Sequence, residues 1–492
     1  MKIKPCVFIL VIFIATGLPA VSQALPGFEY TISSNLEYRY RSAELPVESY
    51  KGKSGIDFYR DHWDRPSLLG VYLGLGYSQG LRVEVEAQLR RQWSLQQGFT
   101  SWNLPPFGIS GNPVAIENGI IECGLLAWNS PEIEISLGRQ KIDYSNGLKG
   151  ALLPSPRIPS LDSFKFHGEI GALGIDWLIS SIRALQAIDG FDVKPNDVSP
   201  ATSGAVYYYG FENGSAWLGD TDRLGSPTTI LSALHRFTWD FGTADLGLSA
   251  HVMYSRRNNR FTILDLMPVI SWHQAIMLQI NMSMILDARW EPLPGLWCAA
   301  QAGFDDINAG IVGVNDNDAT TITALVLGGG YSAKTEAGAF STYAEAGYTH
   351  YLWGNYDGTQ NPPGEINPFL RFIYRHPVDG GSVLLPLTSP YGPGALWLES
   401  SGEWLWASSG LGIGYQFLLL SKNSAANLID TPYYGDLTAI ETAHKTLFAS
   451  IATPVGWHSD IYDFYIAPEL VIKDAQFGFN LSVGAGMQLS SD

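Results

Sequence analysis

Apolar and polar residues alternate one for one along much of this chain. Between residues 81 and 90, Leu81, Val83, Val85, Ala87 and Leu89 are separated by Arg82, Glu84, Glu86, Gln88 and Arg90. That is the period of an extended strand with one apolar and one charged face. Near the end, Phe477, Phe479, Leu481, Val483, Ala485, Met487 and Leu489 oppose Gly478, Asn480, Ser482, Gly484, Gly486 and Gln488. Shorter runs repeat the pattern: Leu36, Tyr38 and Tyr40 against Glu37, Arg39 and Arg41, and Ile133, Ile135 and Leu137 against Glu132, Glu134 and Ser136. Leu370, Phe372 and Tyr374 alternate with Arg371 and Arg375, and Leu278, Ile280, Met282 and Met284 with Gln279, Asn281 and Ser283. No long helical period competes with them.

Such alternation suits two architectures. In a soluble sandwich the apolar faces meet in a core; in a membrane barrel they face lipid and the polar faces line the lumen. Residues 1–24 favour the second. They carry a basic start (Lys2, Lys4), an apolar run from Val7 to Ile14, a break at Gly17 and Pro19, and small residues at Ser22 and Ala24, which reads as a secretory leader cleaved after Ala24. After it no apolar run reaches the roughly 18 residues of a spanning helix. Trp93, Trp128, Trp239, Trp290, Trp353 and Trp404 stand near run ends, as interfacial girdles require.

The expected fold is therefore all-β, a transmembrane antiparallel β-barrel over residues 25–492. At about 26 residues per strand with its share of loop, the barrel holds roughly 16–18 strands. Tight turns are expected at 78–80, 129–131, 240–243 and 291–295, and long loops at 93–113, 189–227, 355–367 and 421–445. A short helix is read over 438–445, and no second domain or linker is seen. The chain ends on Ser490, Ser491 and Asp492, where many bacterial barrels carry an aromatic residue.

Composition agrees. Of 492 residues 46% are hydrophobic, 12% aromatic and only 16% charged, which excludes a disordered chain. The net charge of −17 disfavours nucleic acid as a partner. Of three cysteines, Cys6 belongs to the leader. Cys123 and Cys298 are no disulfide framework and are expected as two buried thiols, with one bridge the alternative.

Three motifs compete with bland readings. Gly76-Tyr77-Ser78-Gln79-Gly80 spells a nucleophile elbow, but that chemistry needs a strand, a strained turn and then a helix. Here a strand follows at once, so a hairpin turn explains the glycines. Asn315-Asp316-Asn317-Asp318 offers oxygen ligands yet lacks the glycine and distal glutamate of a calcium loop, and reads as a solvated turn. The nine histidines show no zinc-ligand spacing. No metal, cofactor or catalytic residue is expected.

A barrel must turn its charged strand faces inward. Arg39, Arg82, Glu84, Glu86, Arg90, Arg371 and Arg375 are thus candidates for a lumen network or a binding wall in which arginines meet anionic groups.

Three stretches resemble the outer-membrane capsule-assembly proteins of the Wzi-like family. Ile135-Ser-Leu-Gly-Arg-Gln-Lys141, followed by the segment from Gly150 to Ser160, is similar to that family's Gly-Arg-Gln strand and its Leu-Leu-Ser-x-x-x-Arg-Pro-Ile-Pro segment. Asn281 to Asp287 with Ala299 to Ile307 resembles its Asn-x-x-x-x-x-Asp strand and Gln-x-x-x-Asp-Asp hairpin. Tyr374-Arg-His376 and Tyr391-Gly-Pro-Gly-Ala395 come near its Tyr-x-His and Gly-Pro pieces. Tyr144-Ser-Asn-Gly147 replaces the family's Trp-Gly-Pro-Gly.

The resemblance implies an 18-stranded barrel that helps tether capsular or extracellular polysaccharide to the cell surface. It also implies that Arg139, Arg157, Asp287, Asp305 and Asp306 hold the fold and lumen network rather than perform catalysis. Arg139 shares parity with Ile135 and Leu137, so it belongs at a strand end, near the interface, or beyond a bulge.

The function read from the sequence is a monomeric, non-enzymatic outer-membrane barrel that binds surface polysaccharide. Trp93, Trp102, Tyr207, Tyr208, Tyr209, Trp217 and Trp353 are candidate loop contacts to sugar. The alternative is a porin or polysaccharide-export channel, and a third reading, a hydrolase, would need Ser78.

Overall fold

The computed structural model describes residues 28–41, 67–77, 80–89, 121–158, 160–182, 228–257, 280–306, 321–354, 372–378, 381–426 and 440–490. The first strands are β1 (Phe28–Arg41), β2 (Leu69–Tyr77), β3 (Leu81–Leu89), β4 (Ile121–Asn129), β5 (Ile133–Gln140), β6 (Leu161–Ile170) and β7 (Leu173–Ile182). Next come β8 (Thr228–Asp240), β9 (Ala244–Arg257), β10 (Ile280–Leu293), β11 (Leu296–Asp306), β12 (Ile322–Thr335), β13 (Gly338–Thr349), β14 (Ile373–Val378) and β15 (Gly381–Pro386). The last are β16 (Ala395–Trp406), β17 (Leu411–Asn423), β18 (Lys445–Ala452), β19 (Val455–His458), β20 (Tyr462–Lys473) and β21 (Gln476–Ser490).

Each wall strand pairs antiparallel with its neighbours, and β1 pairs with both β2 and β21, which closes the sheet. β18 and β19 both pair with β17 and β20 and form one stave. Pro454 between them has no N–H to donate to the ladder. The result is an 18-stranded antiparallel barrel, with β14 and β15 forming a separate hairpin.

The register confirms the alternation. Val83, Leu126 and Leu137 point outward and are exposed, as are Leu286, Leu325, Leu398 and Phe479. Such a continuous apolar exterior suits lipid rather than water. Trp128, Trp239, Trp290 and Trp457 are exposed beside the tight turns, a girdle at that end of the wall.

Tight turns join β2 to β3, β4 to β5, β8 to β9 and β10 to β11, as expected. Gly80 has φ 86, and a Cβ there would stand 1.8 Å from the Asn129 carbonyl oxygen, so the elbow-like motif carries a turn that glycine alone fits. β3 starts at Leu81, leaving no helix after Ser78, which itself lies outside the described residues.

Two expectations are corrected here. Cys298 is a free, exposed thiol, whereas Cys123 is free and buried. The parity of β11 turns Cys298 outward beside Trp290, while Cys123 faces the lumen opposite Glu86. Trp353 belongs to neither girdle nor outer loop: at 1% exposure it sits in the core.

The loops read at 93–113, 189–227 and 355–367 and the acidic turn from Asn315 to Asp318 lie outside the described residues. Of the stretch 421–445, residues 421–423 still belong to β17. Residues 440–441 are helical, and β18 already begins at Lys445.

Candidate functional site: a lumen plug and its latch

The connection between β5 and β6 does not stay at the rim. Residues 141–158 enter the barrel, where Ile142, Leu148, Leu152, Leu153 and Ile158 are buried with the inward side chains Leu178, Leu234, Ile285, Val326 and Trp397. Local chemistry starts the insertion. The Asp143 carboxylate accepts from the Ser145 N–H at 2.9 Å and its hydroxyl at 2.6 Å, an Asx turn, and Asn146 and Gly147 follow with φ of 55° and 88°.

An inserted backbone must find partners for its N–H groups. Glu345 of β13 accepts from the Lys149 and Gly150 N–H groups, both at 2.8 Å, from Trp397 Nε1 at 2.7 Å, and from the Tyr343 hydroxyl. A Cβ at Gly150 would lie 2.5 Å from the Trp397 ring and 2.7 Å from Glu345 Oε1, so glycine is what lets the chain come this close. Gln301 of β11 works the same way: Oε1 accepts from the Leu152 N–H at 2.7 Å, and Nε2 donates to the Tyr144 carbonyl at 3.1 Å.

Charged pairs complete the latch. Glu399 of β16 accepts from Lys149 at 2.9 Å, from Arg157 at 2.6 Å and from the Tyr391 hydroxyl at 2.7 Å. Burial pushes the Tyr391 hydroxyl well above its ordinary pKa, so it stays protonated and donates. Asp287 of β10 accepts from Arg236 at 2.6 Å and from Asn146 of the plug at 2.7 Å. Arg236 also reaches Asp176 at 3.4 Å. Buried charges paired this closely hold position, and losing one partner strands the other.

A second insertion follows β13. Trp353 donates to the Thr388 hydroxyl at 3.1 Å, the Gly354 N–H donates to Asp305 at 2.8 Å, and Lys422 donates to the carbonyls of Tyr391 and Pro393. This packing is why Trp353 is not available at the surface.

The structure separates the sequence candidates. Arg157, Asp287 and Asp305 meet in this plug system. Arg39, Arg82, Glu84 and Glu86 line the opposite inner wall, paired as Arg39 with Glu37 at 3.0 Å, Arg82 with Glu84 at 3.0 Å, and Lys141 with Glu86 at 2.7 Å.

Arg139 leaves the lumen set altogether. Its partners Gly124 and Asp162 share the outward parity of Leu126 and Phe164, and it forms a two-pronged pair with Asp162 at 2.9 and 3.2 Å near the plug end of β5. Arg90, Arg371, Trp93, Trp102, Tyr207, Tyr208, Tyr209 and Trp217 lie outside the described residues. So do the side chains of Asp306 and Arg375.

Glu345, Glu399, Gln301, Arg236 and Lys422 were missed from sequence. The available signal was parity: a carboxylate such as Glu345, flanked by Ala344 and Ala346, had to face inward in a barrel. Among the described residues no three His, Cys, Asp or Glu side chains are grouped to hold a metal ion.

Beside the plug lies a cavity of about 680 Å³. Its residues run from Arg157, Tyr391 and Glu399 at the plug to Glu403, Gly412 and His458 near the tight turns.

No family model and no curated protein matches the sequence. Among solved structures, Wzi of Escherichia coli aligns over 98% of this chain and 88% of its own at 10% identity, with a TM-score of 0.51. It is described as an outer membrane protein involved in group 1 capsule assembly and a carbohydrate-binding β-barrel. The chain has an outer-membrane barrel fold. A BenF-like porin from Pseudomonas fluorescens Pf-5 aligns over 95% of this chain and 99% of its own at 10% identity (TM-score 0.44). OccK3 of Pseudomonas aeruginosa aligns over 96% and 98% at 8% identity, with the same score.

Proposed function

We propose that this barrel sits in the outer membrane, exported by a leader removed after Ala24, and binds capsular or extracellular polysaccharide at the cell surface without catalysing a reaction. The observation that carries the reading is the latched plug. A diffusion porin needs an open water path, whereas here the chain's own residues 141–158 occupy the lumen through partners on β10, β11, β13 and β16. Short turns mark the periplasmic end of such barrels and long connections the outer end, so the plug enters from outside and leaves a surface on which sugar can dock. The barrel shared with Wzi, described as binding carbohydrate, supports the same reading, as does the sequence resemblance. A monomer suffices for it.

The test is the fraction of surface polysaccharide that remains cell-bound in a strain lacking this gene. Polymer made but shed is the expected result; unchanged retention overturns the proposal. The charged wall around Arg39 and Arg82 favours a second reading, a channel. Steady conductance by the purified protein in a planar bilayer would support that reading over ours.

A further inference from the structure

The cavity beside the plug is not explained by the plug. We infer that it is a binding site for a short neutral saccharide, reached from the tight-turn end of the barrel. The inference rests on the polysaccharide reading above and places a second contact for sugar inside the lumen.

Size and lining both argue for it. At about 680 Å³ the cavity falls within the roughly 300–1,000 Å³ of small-molecule sites. Tyr343 and Tyr465 bring aromatic rings to its wall, and a pyranose ring offers an apolar face for such surfaces. The Tyr343 hydroxyl is engaged by Glu345 and by the Lys149 N–H, so that residue offers its ring and not its hydroxyl. The Gln416 amide and the Ser450 hydroxyl line the same space and make no side-chain hydrogen bond among the described residues, leaving donors and acceptors for sugar hydroxyls.

Charge narrows the ligand. Four carboxylates, Glu37, Glu399, Glu403 and Glu469, line the cavity against two guanidiniums, Arg39 and Arg157. Both guanidiniums are already paired, Arg39 with Glu37 and Arg157 with Glu399. A phosphate or a uronic acid would meet excess negative charge with both guanidiniums taken and His458 already 3.8 Å from Glu403. A neutral sugar meets carboxylates as hydroxyl acceptors instead.

Position gives the side of entry. Glu403, Gly412 and His458 stand near the β16–β17 and β19–β20 turns, while Arg157 and Tyr391 of the inserted segments form the other end. The site thus lies under the plug, on the side away from the long connections.

The experiment is calorimetric titration of the purified full-length barrel in detergent with maltose, cellobiose, chitobiose and maltotriose, and with a glucuronate-containing disaccharide. At least one neutral sugar is expected to bind at millimolar concentration or better, with the glucuronate compound weaker by about tenfold or more. Gln416→Trp and, separately, Ser450→Trp fill the cavity and are expected to weaken that binding by about tenfold or more. The heat-dependent shift of the folded band on gels reports that each variant is intact. Failure of all four neutral sugars to bind overturns the inference, and so does undiminished binding by two folded variants. Tighter binding of the glucuronate compound does the same.

Polysaccharide retention by cells is scored separately. If retention is lost on deletion but no sugar enters the cavity, this inference falls and the surface-binding reading stands. If sugar binds in the cavity but retention is unaffected, the reverse holds.

Discussion

The inner wall of this barrel has two unlike halves. From β6 round to β18, inward side chains pack against the plug: Leu178, Leu234, Ile285, Val326, Trp397 and Phe448 all belong to one buried cluster with it. From β21 through β1 to β3, inward positions are glycines, uncharged polar residues and charges, and no residue of that cluster lies on these strands. Rings lie over the glycines: a Cβ at Gly484 would stand 2.2 Å from the Tyr465 ring, and one at Gly74 2.8 Å from the Tyr72 hydroxyl. Both halves obey the same alternation. They differ in whether an inward polar group meets a buried backbone N–H or meets water, and that decides what each is worth.

The largest effect should come from abolishing the packed half. Replacing residues 142–158 with a short Gly/Ser linker removes the apolar side chains that fill the lumen and the partners of Glu345, Gln301 and Glu399. At this strand number an emptied barrel encloses an aqueous channel, so conductance in planar bilayers should rise from near zero to the nanosiemens range. A variant that stays closed would mean that something other than this segment seals the barrel.

Next is Arg236→Ala. It leaves the Asp287 carboxylate, under a tenth exposed, without its cation, while Asp176 keeps only His167 at 2.9 Å. An unpaired buried charge costs about 3–5 kcal/mol, readable as a lower urea midpoint of the folded barrel in detergent. A loss under about 1 kcal/mol would show that water reaches this network and that the packed half is wetter than its burial implies.

Glu345→Gln should cost somewhat less, about 1–3 kcal/mol, because one side of the new amide points donors at the donors of Gly150 and Trp397. Its second signature is brief conductance steps as the plug loosens. Stability loss without any steps would separate latch strength from closure.

The sequence made the wall legible because alternation is a local property: a residue's parity states its face whatever surrounds it. It did not make the plug legible. Residues 141–158 have no period, and their partners lie far along the chain; 195 residues separate Gly150 from Glu345. The resemblance drew attention to Arg157 and Asp287, both of which sit in the latch. It could not show that Arg139 would face outward, which the register decides. Trp353 was misplaced for a similar reason. A tryptophan after a strand reads as interfacial unless one knows that the chain turns inward there to meet Thr388.

The smallest effect is expected on the polar half, and its smallness is informative. Arg82 pairs with Glu84 at 3.0 Å, closer than the 3.4 Å between Arg236 and Asp176 in the packed half, yet its side chain is 44% exposed. Coulomb attraction between two charges that keep their water is largely offset by solvation and side-chain entropy, so such pairs contribute about 0–1 kcal/mol. Arg82→Gln should therefore shift the urea midpoint hardly at all, while Arg236→Ala, measured under identical conditions, shifts it strongly. Salt separates the halves further: exposed pairs are screened and buried ones much less, so raising ionic strength should erase what little Arg82 contributes and leave the Arg236 difference standing. Equal losses from the two substitutions would place Arg82 and Arg236 in the same dielectric environment, and the lumen could then no longer be divided into a packed side and a wet one.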